Sequence, residues 1–565
     1  MKRYIYGLIF FIAFSGCDNL LETKDLLNKS DQNFPQTESD LQTALVAVYQ
    51  PMAQARELSG FTFGNITSDE VFAGGGPTDR WLAGFDQLKK SDENMLSTTW
   101  SNYYKGIYRA NKLLANITNS SNVSDAVSNQ VRGEAHFMRA WYYFSLVQIF
   151  GNVPLFTIAE NVVKPKASTT DLYGQIALDL KIAIDLFPSA SFTSMAPDRL
   201  GHANKWAAEA LLARVYLFYT GYYQAANLPL VGGGSISKDQ VVGYLDDCIN
   251  NSGHTLADDF RELWPYTNKL TVEDYPYTAG KNLEWLGEEG KNKETVFAMK
   301  FGIHGDWGNS FTNGINTMYS LRGQPKNNSD LFPFGSGWGM GTVNTKFVEQ
   351  WRQDEPNDPR IQMSLYNLDD PSEGLVKYVE SGWEQQHDTH HFIKKYTTIM
   401  VWRIKSARQV HSSYTIPMFG ATEASWLKES QDIVLIRFSD VLLMHSELTQ
   451  TNVGLNRVRA RVGLAPVAYS FEAIQKERHH ELTFEGLRYY DLLRWYRKGA
   501  GAILDANQNG VAVLNANVPS VMKYDIETRM NATGGFFPIP LNEITLSNGI
   551  LEQNPGWNGS EGSLN

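Results

Sequence analysis

The chain has 565 residues and a formal charge of −11, from 50 basic and 61 acidic side chains. That acidic balance argues against a phosphate-backbone partner, so nucleic acid is set aside as a ligand class, and the length exceeds one ordinary core, which predicts two or more closely fused lobes. The 14 Trp, 27 Tyr and 29 Phe are many for a core alone, and several of the tryptophans stand among glycines and polar residues.

Lys2 and Arg3 precede an almost wholly apolar run from Tyr4 to Phe14. The run is too short to cross about 30 Å of hydrocarbon, which takes roughly 20 residues, so it reads as a secretory signal over 1–16. Ser15-Gly16 before Cys17 resembles the lipobox of bacterial lipoproteins, which implies cleavage before Cys17 and a diacylglycerol on its sulfur. An anchored Cys17 leaves Cys248 without a disulfide partner, so Cys248 is expected as a small buried residue. No later run of about 20 apolar residues occurs, so the body is expected to be soluble and tethered. Residues 17–36 read as a polar, flexible leader.

From Thr37 the pattern turns helical. Leu41, Leu45, Val48 and Met52 share one face, with Ser39 or Asp40 as the expected cap. Residues 60–96 read as a Gly-rich loop carrying Asp69, Arg80 and Trp81. In WSNYYKGIYRANKLLANI, Trp100, Tyr104, Ile107, Asn111 and Leu114 form the next helical face, and GEAHFMRAWYYFSLVQIF follows, ended by Gly151 and Pro154. DLYGQIALDLKIAIDLFP and KWAAEALLARVYLFYT make a further pair. The spacing is near the roughly 34 residues of tetratricopeptide units, without their strict consensus positions. The fold class expected is therefore mainly α, a tetratricopeptide-like scaffold of helix pairs over 37–230.

Residues 231–435 lose the periodicity and read as a large, loop-rich ligand-binding region, since long irregular stretches inside compact proteins are usually functional. ETVFAMKF and DIVLIRF stand out as short, isolated strands. Helices resume over 436–565 with SDVLLMHSELTQ, LNRVRARVGL and AIQKERHHELTFEGLRYYDLLRWYRKG.

Several of these stretches resemble the SusD/RagB family of surface lipoproteins from Bacteroidota. Glu134, Ala135, Arg139 and Ala140 with Phe150, Gly151, Pro154 and Leu155 are similar to a first signature, and Leu455-Asn456, Val458-Arg459 and Arg461 to a second. ERHHELTFEGLRYYDLLRW resembles the most specific one, with His479 where the family often has Arg; PIPLNEI and QNPGW resemble the C-terminal close. The resemblance implies a helical, tetratricopeptide-like scaffold. It also implies a surface protein that lids a TonB-dependent, SusC-like outer-membrane transporter and captures a nutrient, most often a glycan.

The residues themselves offer three chemistries. Glu477, Glu481 and Glu485 at i, i+4 and i+8 place carboxylates about 5–6 Å apart, near the separation in retaining glycosidases. The surrounding arginines Arg478, Arg488, Arg494 and those of LNRVRAR would keep such carboxylates ionised, so a structural charge network is the expectation and no catalytic residue is assigned. His387, His390 and His391 in HDTHH lack a metal-site pattern and read as a solvated loop. QDEPNDPR lacks EF-hand spacing, the glycine runs at 74–76 and 232–234 read as flexible turns, and no metal or cofactor is assigned. The loop tryptophans Trp81, Trp285, Trp307 and Trp338 remain. Glycine-rich flanks are poor core material, an indole face can pack on the C–H face of a sugar ring, and Asp69 and Arg80 could orient its hydroxyls. The expected activity is glycan capture without catalysis; peptide capture and a lipid-anchored glycosidase are the alternatives.

Overall fold

The computed structural model describes residues 34–558 except 55–58, 90–92, 121–122, 196–198, 288–291, 302–312, 323–330, 334–336, 375–383 and 402–430. The signal, Cys17 and most of the leader lie outside the described residues, as do Trp307 and the side chains of Arg80 and Trp81.

Among the described residues the first eight α-helices are α1 (Glu38–Gln54), α2 (Ser59–Ile66), α3 (Arg80–Asp86), α4 (Glu93–Asn116), α5 (Asp125–Phe150), α6 (Thr169–Leu186), α7 (Lys205–Tyr222) and α8 (Lys238–Asn251). The apolar face expected for α1 is its buried face, with Leu41, Leu45, Val48 and Met52 all inside. Its cap is Thr37, earlier than either residue expected. The Thr37 hydroxyl accepts from the Asp40 N–H, and the Asp40 carboxylate accepts from the N–H groups of Gln36 and Thr37, a reciprocal closure of otherwise orphaned donors. Ser124, Ser168, Asn204 and Ser237 cap α5, α6, α7 and α8 by accepting from backbone N–H groups of the first turn.

These helices stack in sequence. α4 packs on α1 and α5, α5 on α6, α6 on α7, and α7 on α8. α8 then packs on the helix Phe438–Thr449, which joins Val453–Arg461 and Phe471–Glu481. The pairing of α8 with Phe438–Thr449 spans the whole middle of the chain, and α8 itself falls in the stretch read as irregular. Cys248 is buried on α8 as a free thiol. The first signature is structural: Arg139 clasps Asp179 of α6 through Nε and Nη2, and Glu134 accepts from Tyr49 of α1 and from Arg199.

The two strand-like pieces are not isolated. Thr295–Met299 pairs antiparallel with Ile433–Arg437. Other two-stranded ribbons join Val71–Gly74 to Met340–Val343 and Leu365–Asn367 to His391–Ile393. The stretch read as a Gly-rich loop at 60–96 is largely buried and holds α2, a strand and α3. One hydrophobic cluster runs from Leu41 to Leu551 and takes residues from the N-terminal, middle and C-terminal stretches alike.

Candidate functional site

The expected binding residues fall into separate places. The strand Val71–Gly74 ends in the turn Gly74-Gly75-Gly76, which leads through Pro77–Asp79 into α3. This turn is not a flexible one. The Gly75 N–H donates to the Gly339 carbonyl, the Gln386 N–H donates to the Gly75 carbonyl, and the Gly76 N–H donates to Asp79 Oδ2 at 2.6 Å. A Cβ on Gly76 would stand 2.4 Å from Arg322 Nη2, so glycine there lets the guanidinium lie against the backbone. By contrast a Cβ on Gly232, Gly233 or Gly234 would meet nothing within 4 Å, so that turn is open.

Arg322 ties this turn to the next loop. Its Nη1 lies 3.6 Å from Asp79 Oδ2 and donates to the Trp338 carbonyl at 3.4 Å. The Trp338 N–H donates to the Thr317 carbonyl, and Gln385 Nε2 donates to the Gly339 carbonyl at 2.9 Å. Trp338 is half-buried. The turn leading into α3 is thus tied to the Trp338 loop both by the Gly75–Gly339 hydrogen bond and by the Asp79–Arg322 contact. Trp81 stands in the chain just beyond Asp79, and the Trp338 carbonyl accepts from the Arg322 that Asp79 faces. Neither Arg322 nor Gln385 carried a signal in the sequence, because each stands alone in a polar, aperiodic run.

Trp285 does not join them. It is 4 % exposed and lines a separate small cavity with Trp264 and His254. Asp69 is 1 % exposed; its two oxygens accept from Arg488 at 2.8 and 2.9 Å, and Asn507 donates to Oδ2. Its carboxylate is satisfied inside the scaffold and does not orient a ligand on the tryptophan loops.

The three glutamates form an internal charge network. Arg360 donates to Glu477 and Glu481, and Arg437 donates to Glu294, Glu481 and both oxygens of Glu485. Arg459 reaches Glu477, Arg461 reaches Glu481, and Lys395 donates to Glu485 at 2.8 Å. Burial pushes Glu481 up, but Arg461, Arg437 and Arg360 outweigh it and hold the carboxyl well below the ordinary range. Glu485 is likewise lowered, burial being overcome by Arg437 and Lys395. A general acid needs the opposite shift; of the three only Glu477 has it, burial pushing its carboxyl up against the pull of Arg360. The expected network stands, with two corrections. Glu485 lies beyond the helix end at Glu481, and the partners include Arg360 and Lys395 from the middle stretch and Arg437 just past it, while Arg478, Arg488 and Arg494 pair elsewhere.

HDTHH is not solvated. His387, His390 and His391 are half-buried, His391 opens a strand, and burial pushes His387 down to about 4. In QDEPNDPR, Asp358 is taken up by Arg360. Among the described residues no group of three or more His, Cys, Asp or Glu side chains could hold a metal ion, and no helix is long and apolar enough to cross a membrane.

Two family models match the chain: "Starch-binding associating with outer membrane" over residues 21–217 and "SusD family" over residues 293–557. SusD-like protein P25 of Formosa agariphila is 22% identical, covering 98% of this chain and 98% of that protein. Among solved structures, a laminarin-binding SusD-like protein is 25% identical with a TM-score of 0.67, covering 92% of this chain and all of that one. Surface glycan-binding protein A from Bacteroides fluxus is 24% identical with a TM-score of 0.70, covering 93% of this chain and 100% of that one. With the helix-pair scaffold and the signature residues at its joints, these matches place the chain in the SusD/RagB family.

Proposed function

We propose that this protein is a cell-surface lipoprotein that captures an oligo- or polysaccharide and passes it to a SusC-like, TonB-dependent outer-membrane transporter. The observation that supports the reading is the Asp79–Arg322–Trp338 contact, which ties the turn leading into α3 and Trp81 to the Trp338 loop. Binding residues concentrate on loops held by rigid scaffolds, and indole faces with a flanking guanidinium suit sugar rings. Similar proteins described as laminarin-binding and as surface glycan-binding support the ligand class. Glu481 and Glu485 support capture without hydrolysis, because carboxylates held ionised by arginines are poor proton donors. A lipid on Cys17 supplies the anchor, since several acyl chains together hold a body stably without a membrane span, where a single chain holds it only marginally.

Affinity electrophoresis of the purified protein against a polysaccharide panel tests the ligand class, and an assay for released sugar tests catalysis. Retardation by at least one glycan with no sugar release is expected. Sugar release would favour a glycosidase, and binding confined to peptides would move the ligand class. Cys17→Ser should shift the protein from the membrane to the soluble fraction; retention after a high-salt wash would remove the anchor.

A further inference from the structure

On another wall of the molecule, the helices Thr345–Asp354, Phe471–Glu481, Arg488–Tyr496 and Ala500–Gln508 meet around a cleft of about 240 Å³. Its floor is aromatic: His479 stacks on Phe347 with ring centres 4.2 Å apart, and His480 stacks on Trp351 at 4.5 Å. At its rim Tyr496 leaves 41 % of its surface exposed.

The charged groups in this cleft are matched. Lys476 lies 3.2 Å from Asp354 and 3.0 Å from Glu472, Arg488 holds Asp69, and Lys346 donates to the Ala506 carbonyl at 2.6 Å. Each carboxylate is paired and Lys346 is already held by two carbonyls, so an ion would have to displace one of these contacts to enter. Hydrogen-bonding capacity is left over instead. The Tyr496 hydroxyl donates to Gln475 Oε1 at 3.0 Å and fixes the amide, while Gln475 Nε2 has no partner. An enclosed amide nitrogen without an acceptor costs free energy until one is supplied.

His479 at the floor and Glu70 beside it, outside the lining, are displaced in opposite directions. Burial drives Glu70 up to about 8 and His479 down to about 3, and Glu70 Oε1 lies 3.4 Å from His479 Nε2. A concave, part-aromatic pocket with few polar groups and displaced titratable groups is the form ligand sites take. The volume lies just below the roughly 300–1,000 Å³ of pockets for larger ligands, which limits the occupant to about one ring.

We propose that this cleft is a second ligand site, for a single neutral sugar residue that stacks on Tyr496 and gives a hydroxyl oxygen to Gln475. The proposal does not rest on the tryptophan loops, which are built from other residues.

Saturation-transfer NMR on the full chain, with glucose, galactose and mannose as probes and glucuronate as the charged control, tests it. Transfer from at least one neutral hexose is expected. It should persist in Trp338→Ala and weaken by about fivefold or more in both Tyr496→Ala and Gln475→Leu, the size of loss expected for an aromatic anchor. Melting curves show that each variant is folded, and Gln475→Leu decides if Tyr496→Ala is not. No transfer from any hexose, transfer untouched by the Gln475 and Tyr496 changes, or stronger transfer to glucuronate would overturn the site. Loss in Trp338→Ala alone would assign the binding to the tryptophan loops and equally overturn it.

Discussion

Gly64 of α2 lies against Gly486, so close that a Cβ at position 64 would stand 1.9 Å from the Gly486 carbonyl oxygen. The obstacle is backbone, which cannot swing aside as a side-chain end can. Gly64→Ala should therefore cost about 1–3 kcal/mol or more, the range of overpacked cores. A thermal melt checks this, and an unchanged midpoint would show that the two segments part easily.

Glu485→Gln should destabilise the body while leaving glycan binding intact. The change strands Arg437 and Lys395, and breaking one member of a buried pair costs about 3–5 kcal/mol. Because the folded carboxyl titrates below its unfolded value, the stabilisation is present at neutral pH and disappears as pH falls beneath the ordinary glutamate range of about 4.3. The gap in melting temperature between variant and wild type should accordingly close in acid. A folded variant of normal stability that had lost a sugar-releasing activity would point to catalysis instead.

Asp86 behaves in the opposite sense. It is fully buried, and burial drives its carboxyl up to about 8 against the pull of Tyr524 and the Ala73 N–H. Folding then favours the protonated acid, and stability declines between about pH 4, where the unfolded group ionises, and pH 8. Asp86→Asn keeps an oxygen for both donors and does not ionise. Its melting temperature relative to wild type should rise steadily from pH 5 to pH 8; a constant difference across that interval would contradict the assignment.

The tryptophans divide by position. Trp81→Ala and Trp338→Ala should each weaken glycan binding at least several-fold, on the order of 1–3 kcal/mol, with Trp81→Ala costing little stability. Trp285→Ala should do the reverse and cost about 3–5 kcal/mol of stability, as removal of a buried Trp does. Calorimetric titration beside thermal melts reads both halves, and lost affinity in Trp285→Ala at normal stability would return that residue to the ligand.

The scaffold was legible because its signals are local. A capped, 3.6-residue apolar rhythm names a helix within its own span, and α1 and α4 to α7 follow it. The strand pair Thr295–Met299 and Ile433–Arg437 was not, because each strand's partner is remote in sequence. Arg360, Lys395 and Arg437 were missed as partners of the glutamates for the same reason. Trp285 misled through its glycine. Gly287 reads as loop material, yet a Cβ there would stand 2.7 Å from the indole, so the glycine makes room for the ring to fold inward. Gly64 misled in the same way: glycine required by close packing has the composition of a loop.

Pairing of Thr295–Met299 with Ile433–Arg437 brings the two ends of the intervening stretch to one place on the body. A segment whose ends are clamped together can be lengthened at little thermodynamic cost, since each doubling of a loop adds only about 0.6 kcal/mol of closure entropy. The stretch from 300 to 432 is in this sense a closed excursion, pinned from within by Arg360 and Lys395. Its surface turns can lengthen between related chains, changing what is captured, while those two cations stay fixed in the charge network beneath.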